Sequence, residues 1–152
     1  EVSEATVFST VNAFQLIGRW QIEYRPMEHI YDVAHNPHSI TALKAFVKAR
    51  PVKQNFAVFS MLASKNLLES IAPMQPLIQH WYFAPLKRPD TVNAAQFKAA
   101  CHQLNMPLSQ ISIFAEVAQA YTAAQRSAHQ DTRLIMFGSF HTLAEVFKAQ
   151  HC

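Results

Sequence analysis

From Asn36 onward the chain alternates between short apolar runs and amphipathic stretches of about a dozen residues, and that alternation leaves few folds open. Residues 55–61, 80–84, 109–114 and 134–137 read as strands. Residues 37–49, 66–79, 93–104 and 117–129 read as helical, and a last helix starts near Thr142. The first of these carries Ile40, Leu43, Phe46 and Val47 on one stripe, with Lys44 and Lys48 outside it. Pro73 and Pro76 interrupt the second. Strands joined by single helices run parallel through right-handed crossovers, which places helices on both faces of one sheet. Upstream, Arg25-Pro26-Met27-Glu28 turns the chain between residues 20–24 and 30–34, too little chain for a crossover, so the two form an antiparallel hairpin. The expected fold is therefore a three-layer α/β/α domain on a mostly parallel sheet of about six strands, with one antiparallel strand at the N-terminal end.

Composition narrows the function classes. Half of the 152 residues are hydrophobic, enough for one real core. A formal charge of +3, from 13 basic and 10 acidic residues, is too mild and scattered to argue for nucleic acid, whereas anionic small molecules stay open. Cys101 falls inside a helical pattern and Cys152 is the last residue, with no Cys-x-x-Cys, so a reduced cytoplasmic setting is expected. No signal peptide is visible, and no apolar run nears the roughly 18 residues that span a membrane. The chain starts at Glu1 rather than methionine and opens with a helical pattern over residues 3–14, as a piece cut from something longer would. Glycine is scarce: Gly18 and Gly138 are the two present, where average usage of about 7% would give roughly ten. A phosphate-cradling loop needs several closely spaced glycines, so this chain holds none.

Two strand-to-helix junctions carry the candidate chemistry. In His29-Ile30-Tyr31-Asp32-Val33-Ala34-His35-Asn36-Pro37-His38-Ser39 an apolar run ends in Asn36, an N-cap, and Pro37, the residue suited to the first helical position. Gly138-Ser139-Phe140-His141-Thr142 repeats the design after a second strand. Parallel strands share one carboxyl edge, so both junctions open on the same side and present helix N-termini that favour an anion. Asp32 can accept hydroxyl protons, His35 can donate to a carboxylate, and the Ser139 hydroxyl can cap a helix. Taken singly, Asp32 reads equally as an acid capping its own turn, His35 as a satisfied loop histidine, Ser139 as a plain cap and Arg19 as a solvated cation. Other constellations fail. His29, His35, His38 and Asp32 point different ways from strand, turn and helix, which argues against zinc. Ser139 with His141 hints at a hydrolase, but the second glycine of a nucleophile elbow is missing. Trp81, Tyr82 and Phe83 read as core rather than a base-stacking platform, and Lys87-Arg88 as a solvated loop.

Gly18-Arg19, Asp32-Val33-Ala34-His35-Asn36-Pro37-His38, Met61-Leu62 and Phe137-Gly138-Ser139-Phe140-His141-Thr142, in that order, resemble the C-terminal domain of bacterial bifunctional dihydrofolate synthases/folylpolyglutamate synthases, in the Mur ligase superfamily. The resemblance implies a Rossmann-like domain at residues 18–152, with residues 1–17 a linker and helix stub from a central ATPase domain that it contacts. It implies a cytoplasmic, monomeric ligase that uses ATP and Mg²⁺ to phosphorylate a dihydropteroate or folate carboxylate, after which L-glutamate attacks the acyl phosphate. Arg19 and Asp32 would bind ATP, and His35 and Ser139 would bind glutamate. The catalytic groups and metal ligands would lie in the other domain, so no catalytic or metal-binding residue is expected here, no nucleic acid or membrane partner, and no turnover by this piece alone. Trp20 departs from the family's usual phenylalanine, and Ser64-Lys65-Asn66 from its aspartate-flanked lysine. From another class, a stand-alone non-catalytic binding module of the same fold also accounts for the pattern.

Overall fold

A computed structural model describes residues 21–51, 53–64 and 66–151. Its sheet has six strands: β1 (Gln21–Tyr24), β2 (Glu28–Tyr31), β3 (Gln54–Phe59), β4 (His80–Phe83), β5 (Ile111–Ile113) and β6 (Thr132–Phe137). Their spatial order is β1-β2-β6-β3-β4-β5, with β1 and β2 antiparallel and every other pair parallel. Helices α1 (Pro37–Lys48), α2 (Leu67–Ile71) and α3 (Ala94–Gln103) follow β2, β3 and β4. Helices α4 (Val117–Ser127) and α5 (Phe140–Gln150) follow β5 and β6. The expected three-layer architecture is the observed one. The helix expected over residues 3–14 and Trp20 of the first strand lie outside the described residues.

Period-two alternation along the strands builds two cores. Ala57 and Phe59 pack with Ile40, Leu43, Ile71, Phe97 and Cys101 of α1 to α3, while Phe56 and Val58 pack with Tyr121, Ala124, Val146 and Phe147 of α4 and α5. Helix starts are set by side chains that satisfy orphan amides. Asn36 accepts from the Ser39 amide at 2.9 Å and Asn93 from the Gln96 amide at 2.9 Å, each within a capping box. Pro73 and Pro76 have the predicted effect: after Ile71 the chain tightens into a 3-10 helix over Ala72–Leu77.

Two strands begin earlier than the apolar pattern indicates. β2 starts at Glu28 and ends at Tyr31, rather than covering residues 30–34, and β6 starts at Thr132 rather than Leu134. The reason is a buried ion pair. Glu28 and Arg133 are register partners across β2 and β6, 2% and 1% exposed, with Arg133 Nε donating to Glu28 Oε1 at 3.0 Å. Arg133 also donates to the Asn55 side chain at 3.1 Å and the Pro51 carbonyl at 2.8 Å, while Arg50 and Lys53 reach Glu28 at 2.7 and 3.5 Å. Burial alone would raise the Glu28 carboxyl, but the hydrogen bonds from Arg50 and Arg133 hold it below its ordinary value.

A second buried chain of polar groups ties β1, β2, α4 and α5 together. His29 Nδ1 donates to the Met27 carbonyl at 3.0 Å, which leaves Nε2 to accept from the Tyr121 hydroxyl at 2.9 Å. The Gln150 amide donates to Tyr31 and Tyr121 at 2.7 and 3.2 Å, and Tyr31 donates to Glu23 at 3.2 Å. Burial pushes the His29 imidazole below its ordinary value.

Two stability measurements test these networks. Arg133→Ala should lower the unfolding free energy by about 3 kcal/mol in urea titration, because Glu28 keeps Arg50 and Lys53 but loses its fully buried partner. The His29 contribution is intact above about pH 6.5 and falls away below it, because the unfolded ring gains a proton that the native ring resists. Unfolding free energy should therefore fall from pH 7 to 5, and His29→Gln should reduce the proton uptake on unfolding by about one.

Candidate functional site

The parallel register brings the two junctions together. Tyr31 of β2 pairs with Met136 of β6, and the Asp32 amide extends that ladder to the Met136 carbonyl at 3.0 Å. One chain then turns through Val33 and Ala34 into α1, the other through Gly138 into α5. Asp32 Oδ1 accepts from the Ala34 amide at 2.7 Å, so the acid does brace its own turn. Asp32 is half-buried just past the end of β2 instead of within a strand.

Gly138 has φ +114°, which an L side chain rarely adopts, and a Cβ there would stand 2.1 Å from the Ser60 carbonyl oxygen and 2.8 Å from the Phe59 ring. Ser139 is the N-cap of α5, its hydroxyl accepting from the His141 amide at 3.0 Å. Thr142 fastens the first turn of α5 to the loop after β3 through a 2.8 Å bond to the same Ser60 carbonyl. Three strand ends, β2, β6 and β3, are thus bound into one rim.

In that rim lies a recess of about 260 Å³ lined by His35, Leu62, Gly138, Ser139, Phe140 and His141. His35 and Ser139, read as one site, do meet. His35 Nδ1 donates to the Val33 carbonyl at 2.8 Å, which turns Nε2 outward as the group available to a guest. The Ser139 hydroxyl, already accepting, retains its own hydrogen to donate. Among the described residues no acid lines the recess, so none of them would repel an anion there. Asp32 is not among the lining groups, and Arg19, Gly18 and Lys65 lie outside the described residues.

Phe140 and Leu62 are lining residues to which sequence reasoning gave no role, and His141 one that it weighed only as the partner of Ser139 in a hydrolase. The signal was the motif itself, since three of its side chains turn to one hollow. A hydrolase is not what this geometry makes: among the described residues no imidazole nitrogen bonds the Ser139 hydroxyl, which is occupied as a cap. Among those residues, too, no three His, Cys, Asp or Glu side chains are grouped as metal ligands would be. A roomier hollow of about 670 Å³ between α3 and β5 has a largely apolar lining. It holds Cys101, whose thiol burial pushes up to about 11, an inert packing group rather than a nucleophile.

A family profile described as "Mur ligase, glutamate ligase domain" matches residues 18–140. The chain belongs to that family. Its glutamate ligase domain is 35% identical over 149 residues to the dihydrofolate synthase/folylpolyglutamate synthase of Escherichia coli K12, covering 97% of the chain and 34% of the relative. Its fold is similar to that of E. coli FolC in complex with ADP, with TM-score 0.77, 33% identity, and 88% of this chain and 31% of the other covered. A bifunctional folylpolyglutamate synthase/dihydrofolate synthase with Mn, AMPPNP and L-glutamate bound is also similar, with TM-score 0.77, 31% identity, and 89% and 31% covered. The domain spans about a third of the length of the curated relatives it matches.

The junction after β6 can be tested through stability. Gly138→Ala should cost about 3 kcal/mol, combining left-handed strain with the clash at the Ser60 carbonyl. Ser139→Ala should cost about 1 kcal/mol, the loss of an N-cap, so the glycine variant should melt well below the serine one in thermal denaturation.

Proposed function

We propose that this domain is the C-terminal, glutamate-binding part of an ATP-dependent ligase that joins L-glutamate to dihydropteroate and to folates. The observation that carries the proposal is the shared recess, where His35 and Ser139 converge beside the first turn of α5. The named relatives and the similar structure holding AMPPNP and L-glutamate support the same substrates. In this reading residues 1–17 lead in from a central ATPase domain and residues 18–152 close over it, in a cytoplasmic monomer.

ATP supplies the phosphoryl group that turns a poorly reactive carboxylate into an acyl phosphate. The amine of glutamate attacks the acyl carbon, and phosphate leaves with the electron pair of the broken C–O bond. For a reaction with so charged a transition state, fixed donors and orientation matter more than a protein nucleophile. His35, through Nε2, and the Ser139 hydroxyl would hold a carboxylate of the incoming amino acid. Asp32, at the end of β2, would accept the hydroxyls of the ATP ribose, and Arg19 would fork onto its phosphates. Mg²⁺ and the glycine-rich phosphate loop belong to the preceding domain, which agrees with a chain whose two glycines lie far apart.

In the full-length polypeptide, His35→Ala and Ser139→Ala should each raise KM for L-glutamate about tenfold or more, the worth of one lost charge-assisted hydrogen bond, and leave KM for ATP unchanged. Asp32→Ala should show the reverse pattern. The present chain by itself should not consume ATP. Wild-type constants in all three variants would mean the groups are wrongly assigned.

A further inference from the structure

A zwitterionic amino acid needs two kinds of partner, and the recess as read so far supplies one. The Ser139 hydroxyl and the first turn of α5 offer donors, which suit a carboxylate. An ammonium group needs an acceptor, and among the described residues no carboxylate lines the cavity. Among the described lining residues His141 is the remaining polar side chain. It stands half-buried, with its ring edge-on to Phe140 at 5.3 Å between centroids, and among the described residues neither ring nitrogen has a hydrogen-bond partner. We propose that His141 is the residue that receives the α-amino group of the incoming amino acid, accepting its hydrogen bond and turning the nitrogen toward the acyl carbon.

The surroundings of the ring fit that task. Burial first, and the Arg88 cation next, hold the imidazole below its ordinary value, and Asp90 opposes them only in part. A neutral imidazole keeps a lone pair on one nitrogen, whereas a protonated one would set a second cation against the ammonium. Arg88, a cation with no acceptor, cannot receive the amino group. It is bonded to Asp90 by two hydrogen bonds of 2.8 and 3.1 Å and lies outside the recess lining. Glu145, one turn further along α5, accepts from the Lys87 amide at 3.1 Å through Oε2 and keeps Oε1 buried without a hydrogen-bond partner among the described residues, but it is not part of the lining. His35 faces the same hollow from the other junction, with Nδ1 committed to the Val33 carbonyl. The two imidazoles thus divide the zwitterion, His35 with Ser139 at a carboxylate and His141 at the amino group.

The inference rests on the proposed function, and one comparison separates the two. Glutarate carries both carboxylates of glutamate but no amino group, so it can occupy the site without reacting. In the full-length polypeptide, His141→Phe should raise KM for L-glutamate about tenfold while glutarate inhibits as it does the wild type, since only the amino contact is lost. Ser139→Ala should weaken both ligands. His141→Asn, which restores an acceptor, should recover much of the loss. If His141→Phe weakens glutarate as much as glutamate, or changes neither while Ser139→Ala changes both, His141 does not hold the amino group although the recess still binds the acid. If Ser139→Ala affects neither ligand, the reading of the recess falls and this assignment with it.

Discussion

The alignment of β2 against β6 depends on a salt bridge that faces away from the chemistry. Glu28 and Arg133 sit opposite one another near the amino ends of their strands, both almost fully buried, with Arg50, Lys53, Asn55 and the Pro51 carbonyl completing their bonds. A slip of one residue would bury each charge against the wrong neighbour and turn every apolar side chain of the strand to the opposite face. Pairs of this kind add little net stability over a hydrophobic equivalent, but they penalise alternatives heavily. The penalty acts here on the two strands whose far ends carry the junctions, so the register chosen at one edge of the sheet decides which residues meet at the other.

That meeting has a division built into it. His35, Ser139 and His141 share one hollow, while Asp32, three residues before His35, lies outside its lining and braces the turn of its own loop. Under the proposed function, nucleotide and amino acid would therefore be served by one strand end without competing for the same atoms.

Much of the architecture was legible because the period of the apolar residues changes cleanly from strand to helix, and because Asn36-Pro37 and Asn93 announce helix starts in local chemistry. The strand starts were not legible, for a specific reason: Glu28 and Arg133 look like loop residues until each is seen to neutralise the other across 105 positions of sequence. Local pattern cannot report a partner that distant. For the site, the motifs led to His35 and Ser139, and the common carboxyl edge followed from parallel strands. His141 was passed over because a histidine two residues after a serine invites comparison with a hydrolase. Only the backbone geometry, with Ser139 turned into a cap, releases the imidazole for another part.

Gly138 also has a bearing on the core. The absent side chain leaves room for the Ser60 carbonyl and for the Phe59 ring, and that ring packs edge-to-face with Trp81, Phe83, Phe97 and Phe137. The corner from β6 into α5 therefore rests on an aromatic stack whose members come from three strands and a helix. Any change that tilts Phe59 would lift or lower the platform on which Ser139 and His141 stand. The hollow beside Ser139 takes its dimensions from a ring that lies outside its lining.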